Sequence, residues 1–198
     1  MAGPPKKIMI IRHGEKPPKH PGKDGPFDVQ ENGESGGGKS LIVAGWQRAG
    51  ALNAFFAPAD GTPPKKDVAK PDYIYAADPT GESQRPWETV VPLAAWLGYA
   101  QGTPQFNTNF DIGGGEPGVI DSVLGLDGTV LICWDHDNIM PNMVGDLNAK
   151  VAISNYKSIT NPWPNVFDLV WVFDLDSKGK SYTWNEVHQE LMAGDVKS

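Results

Sequence analysis

Lys7-Ile8-Met9-Ile10-Ile11-Arg12-His13-Gly14-Glu15 is a short, unbroken apolar run that stops abruptly at an arginine, a histidine and a glycine. Four consecutive apolar residues, Ile8 to Ile11, with no polar alternation predict a strand over Lys7 to Arg12 buried on both faces, as strands of a parallel sheet are. A second run of the same kind, Gly128 to Trp134 (GTVLICW), ends in Asp135-His136-Asp137-Asn138, and a third, Tyr73 to Ala77, is followed by a turn segment and Arg85. Segments with helical periodicity lie between them. Leu41 to Ala57 places Ile42, Trp46, Ala49, Leu52, Phe55 and Phe56 on one face, and Pro86 opens a helix that Gly98 ends. Ile139 to Ile153 reads as one further helix, and Asp168 to Phe173 with Ser181 to Trp184 as a terminal hairpin. Strands alternating with helices predict an α/β fold: a three-layer sandwich whose mostly parallel central sheet is flanked by helices, with a C-terminal β-hairpin.

The length of 198 residues suits a single domain over 1–198. Residues 16–40 are rich in proline and glycine, hold little to bury, and predict a flexible loop. Tyr99 to Gly118 reads as loop as well. Seventeen basic against 24 acidic side chains leave a formal charge of −7, which argues against nucleic acid or an anionic membrane as the partner. The single cysteine, Cys133, excludes an internal disulfide framework and reads as a small buried hydrophobe. No apolar run approaches a signal-peptide core or a membrane span, so the expectation is a cytoplasmic protein.

In open α/β sheets ligands bind beyond the carboxyl ends of the strands. The chain has three arginines against fourteen lysines, and Arg12 and Arg85 both fall at such positions. Arginine offers several fixed donors to a tetrahedral oxyanion, and Arg85 stands at a helix start, where the helix dipole adds positive potential. A neutral imidazole beside such arginines is a nucleophile at pH 7, and the phosphoramidate it forms is labile to water. His13 fills that place. Gly14 leaves the approach open, and His136 is placed to stabilise charge on a transferring phosphoryl group. Arg48 is expected on the solvent face of its helix or ion-paired there, and His20 and His188 as ordinary surface histidines. Asp135-His136-Asp137 has the donor types of a divalent-metal site but no distant partner in the sequence, so no metal ligand is assigned.

The run Ile10-Ile11-Arg12-His13-Gly14-Glu15-Lys16-Pro17 resembles the signature of the histidine phosphatase (phosphoglycerate-mutase-like) superfamily. Gly45-Trp46-Gln47-Arg48-Ala49 is similar to that family's first-helix pattern, Arg85-Pro86-Trp87-Glu88-Thr89 to its R-x-x-x-T segment, and Val130 to His136 to the strand ending in its second histidine. The resemblance implies a phosphohydrolase acting on a small phosphorylated substrate through a phosphohistidine on His13, with Arg12, Arg85 and His136 completing the phosphate pocket and with no cofactor or metal. Its acid-phosphatase branch has a His-Asp dipeptide whose Asp is the proton donor, which makes Asp137 the first candidate acid. Asp111 lies where the mutase-like branch carries its acid and is the alternative. A phosphotransferase or mutase, and a non-catalytic module that holds a phospho-ligand, are the competing readings.

Gly33-Glu34-Ser35-Gly36-Gly37-Gly38-Lys39-Ser40 also satisfies the P-loop pattern of nucleoside triphosphatases. A P-loop must leave the end of a buried strand, and Pro26 to Asn32 does not read as one. The Gly33–Ser40 reading is therefore the remote alternative.

Overall fold

The computed structural model describes residues 3–196. Its seven strands are β1 (Lys7–Arg12), β2 (Tyr73–Ala77), β3 (Phe106–Phe110), β4 (Thr129–Trp134), β5 (Ala152–Ile153), β6 (Leu169–Leu175) and β7 (Ser181–His188). They form one sheet in the order β3-β2-β4-β1-β6-β7-β5. The pairs β3/β2, β2/β4 and β4/β1 are parallel, and β1/β6 and β6/β7 antiparallel. Alternation along β1 sends Ile8 and Ile10 to one face and Met9 and Ile11 to the other. On the Met9 side lie α1 (Val43–Phe56) and α2 (Arg85–Leu97), which contribute Leu52, Phe55, Val90 and Leu93. On the Ile8 side lie α3 (Glu116–Val123) and α5 (Val144–Lys150), with Val119, Ile120, Val144 and Leu147. The expected three layers are present. The hairpin β6/β7 extends the same sheet, because β6 pairs along β1 from Lys7↔Asp174 to Ile11↔Val170.

The structure corrects several readings. Tyr99 to Gly118 holds strand β3 and the start of α3. Two of its glycines serve close packing: a Cβ on Gly115 would meet the Asp111 carbonyl oxygen at 2.4 Å, and one on Gly118 the Phe110 ring at 2.8 Å. Buried Glu116 orders this corner by accepting the Gly113 and Gly114 N–H groups and the Trp134 indole N–H. Ile139 to Ile153 is not one helix. A three-residue helical turn, α4 (His136–Asn138), leads into Ile139–Met143, where Met140 is extended at φ −131° and ψ 127°. Met140 precedes Pro141, and the proline ring disfavours helical backbone in the residue before it.

Residues 16–40 contain no helix or strand, yet side chains tie them to the site. Asp28 accepts the N–H groups of Gly38 and Ser40, Trp46 donates to the Val29 carbonyl, and Ser40 donates to Gln84. Arg48, expected on the solvent face of its helix or ion-paired there, is 2% exposed and ion-paired. It grips Glu15 through Nε and Nη2, Asp195 through both Nη atoms, and Gln189 through Nη1. His188 is half-buried, with Nδ1 3.0 Å from Asp168.

Candidate active site

The sheet register builds the site. Arg12 stands opposite Trp134 in the β1/β4 ladder, so His13 and Asp135 leave the sheet side by side at its carboxyl edge. The His13 N–H extends the ladder to the Trp134 carbonyl at 3.1 Å. Beyond His13 the chain passes under α1, where a Cβ on Gly45 would meet the Glu15 carbonyl oxygen at 2.6 Å. Only glycine permits that approach. The Gly14 N–H donates to the Thr89 hydroxyl, which in turn donates to the Arg85 carbonyl, so α2 is pinned to the histidine loop.

His13 is fully buried, with Nδ1 2.7 Å from its neighbour Gly14's carbonyl oxygen. A carbonyl only accepts, so Nδ1 carries the hydrogen and the lone pair lies on Nε2. That Nε2 has no hydrogen-bond partner and faces Asp135 Oδ1 at 3.7 Å. The His136 ring stands edge-on to His13, centroids 6.3 Å apart, with Nδ1 3.4 Å from Asp135 Oδ1 and Nε2 3.4 Å from Asp137 Oδ1. The Arg12 guanidinium lies 4.1 Å over the Phe167 ring and reaches Asn165 Oδ1 and the Val166 carbonyl with Nη1. Its Nε is buried and unpartnered.

Burial sets the charges. It pushes His13 below its ordinary value against the pull of Asp135 and Gly14, and burial together with Arg12 does the same to His136, so both rings are neutral at pH 7. Burial would raise the Asp135 carboxyl, but in acid, where the two facing histidine rings take up protons, their attraction and the Asp137 N–H outweigh it and hold Asp135 well below the ordinary carboxylate range. Arg12 is pushed down to about 10 by burial and stays cationic. Lys16 is lowered by burial and by Arg12 and Arg85.

Arg12 and His13 thus share Phe167 as a neighbour, and His13 and His136 share Asp135. Arg85 stands beside them on the loop side, its Nε donating to the Ser40 carbonyl, Nη1 to the Ser83 hydroxyl and Nη2 to the Gly38 carbonyl. It borders a cleft of about 580 Å³ lined also by Lys16, Pro17, Phe27 and Asp28. The Gly33–Ser40 segment turns carbonyls toward Arg85 and commits the Gly38 and Ser40 N–H groups to Asp28, the reverse of what a phosphate cradle requires. Asp137 lies on the outer side of His136 with its side chain 79% exposed. Asp111 is exposed after β3, three strands from β1 and so about 14 Å along the sheet. Asp135, Lys16 and Phe167 are site residues that the sequence reading did not assign. Position after a strand was the available signal for Asp135; nothing in the sequence ties Phe167 to Arg12.

No protein-family model and no curated protein matches the sequence. Solved structures do match. One of them is described as the "Crystal structure of the putative phosphohistidine phosphatase SixA from Agrobacterium tumefaciens", with a TM-score of 0.50 and 16% identity over 92% of this chain and 96% of that one. No helix among the described residues is long and apolar enough to cross a membrane. At that identity the likeness is one of architecture: the chain shares the α/β fold of that structure.

Proposed function

We propose that the chain is a cytoplasmic phosphohydrolase that cleaves a small phosphomonoester or phosphoramidate through a phosphohistidine on His13. One observation carries this reading. Among the described residues six buried polar side-chain atoms lack a partner, and three of them, Arg12 Nε, His13 Nε2 and His136 Nδ1, belong to this one site. Buried polar atoms are normally paired, so such a cluster marks the place of a ligand.

The steps use the chain's own groups. Nε2 of His13 attacks phosphorus, the bond to the leaving oxygen breaks, and that oxygen takes a proton from Asp137. Water then attacks phosphorus, the N–P bond breaks, and the water's proton passes to the Asp137 carboxylate, which restores neutral His13. Arg12, Arg85 and Lys16 offset charge on the phosphoryl oxygens, and His136 donates to one of them in the transition state. Asp135, held ionised, has no proton to give at pH 7. The nucleophile belongs to the chain, so these steps call for no metal.

The test is trapping of label from a phosphorylated substrate as an acid-labile, base-stable adduct. His13→Ala should abolish the adduct and lower kcat/KM by at least about three orders of magnitude, as loss of a nucleophile does. Normal turnover by His13→Ala overturns the mechanism. Phosphate binding without turnover by the wild type would leave a phospho-ligand binding module.

A further inference from the structure

Two ring nitrogens at the carboxyl edge, Nε2 of His13 and Nδ1 of His136, are buried without a hydrogen-bond partner, and both face a single oxygen, Oδ1 of Asp135, at 3.7 and 3.4 Å. One ligand atom from each of these three residues lies within 4.8 Å of the others. The sequence showed Asp135 to Asp137 as an isolated group, and β1 supplies the distant partner it lacked. Two imidazoles and one carboxylate gathered around a point, with the remaining directions open, is a donor set for divalent transition metals.

Geometry and tautomers agree with this use. A tetrahedral centre with bonds of about 2.0–2.1 Å has donor–donor edges of about 3.3 Å, so both edges through Asp135 need to contract by less than half an ångström or so. Ligating histidines normally have their second nitrogen held by a carbonyl or carboxylate. Here Nδ1 of His13 is held by the Gly14 carbonyl, and Nε2 of His136 faces the Asp137 carboxylate. Hard ions such as Mg²⁺ and Ca²⁺ take oxygen ligands, whereas imidazoles suit the zinc class. The Arg12 guanidinium, packed on Phe167 beside His13, opposes a cation and makes the site one of reversible rather than structural binding.

We propose that Nε2 of His13, Oδ1 of Asp135 and Nδ1 of His136 bind one divalent transition-metal ion of the zinc class. The ion occupies the lone pair on which the proposed phosphoryl transfer depends, so a bound metal and a phosphohistidine exclude each other. That inhibitory consequence rests on the phosphatase reading; the binding itself does not.

The experiment is calorimetric titration of Zn²⁺ into the full chain after chelator treatment and dialysis, with melting curves for every variant. One ion should bind per wild-type chain. Asp135→Asn and His136→Ala should each weaken it at least tenfold, while His20→Ala, on the exposed loop, should not change it. Co²⁺ reads the wild type with no variant at all: an intense visible band from a four- or five-coordinate site supports the proposal, and the pale spectrum of the hydrated ion overturns it. Zn²⁺ uptake equal in the wild type and in a His13→Ala/His136→Ala double variant also overturns it. A chain that binds Zn²⁺ through these residues but turns over no phosphorylated substrate would remove the phosphatase reading and leave the metal site standing.

Discussion

Oδ1 of Asp135 stands 3.7 Å from Nε2 of His13, on the side from which a phosphoryl group must approach the nucleophile. Two unit charges about 4 Å apart interact by roughly 4 kcal/mol at the effective dielectric of a protein surface, and Arg12 and water cut this further. A third of that amount is a factor of about ten in affinity. Asp135→Asn is therefore expected to bind phosphate or vanadate about tenfold more tightly than the wild type, measured by calorimetry. Unchanged or weaker anion binding would show that the carboxylate does not face the anion.

Asp137 and Asp135 divide along the two sides of His136; Asp135 also faces His13, whereas Asp137, at the open side, faces His136 alone. A general acid matters most when the leaving alkoxide is strongly basic. Asp137→Asn should slow hydrolysis of an alkyl phosphate by about a hundredfold while changing an activated aryl phosphate little. Asp111→Asn, at the edge strand, should alter neither. Equal losses on both substrates in Asp137→Asn would assign Asp137 to holding His136.

Arg48 ties the histidine loop to the end of the chain, with Glu15 on one side of its guanidinium and Asp195 on the other. Removing one partner of a buried ion pair leaves uncompensated charge and costs about 3–5 kcal/mol. Arg48→Met leaves two carboxylates facing each other and should lower stability by about 3 kcal/mol, read as a lower urea midpoint at unchanged slope. A shift under about 1 kcal/mol would mean the network is no better than a surface pair.

The parts of the fold legible in the sequence are those whose signal is local. β1 and β2 have the bounds their apolar runs predict, and α2 ends at Gly98, which takes a left-handed φ of 75°. β3 and α3 were hidden because Gly115 and Gly118 look like breakers until Asp111 and the Phe110 ring are seen packed against them. For Arg48 the sequence left a solvated face and an ion pair both open: its acceptors Glu15, Gln189 and Asp195 are remote in sequence, and only the folded chain shows that it is buried among them. In the site, Arg12, His13 and His136 were singled out by their positions at strand ends. Asp135 carries the same signal, directly after β4, but what sets it beside His13 is the β1/β4 register.

The neutral state of His13 has a consequence for stability. In the unfolded chain its ring titrates near 6.5, while burial holds the folded value lower. Between the two values the unfolded chain binds a proton that the native chain refuses, so the slope of unfolding free energy with pH is positive. The contribution of His13 is fully present above about pH 6.5 and is lost as pH falls through that window, at up to about 1.4 kcal/mol per pH unit for one group. His136, lowered by burial and Arg12, adds in the same direction. Asp135 has the same sign in a different window: its stabilisation is present above about pH 3.8, the ordinary carboxylate value, and is lost only in stronger acid. Urea midpoints of the wild type should therefore be level from pH 8 to about 6.5 and decline between about 6.5 and 5, ahead of any carboxylate transition. His13→Gln, which removes the titrating ring, should decline less steeply over that interval whatever its stability at pH 8. Equal slopes for the two chains would show that burial does not lower the folded value of His13.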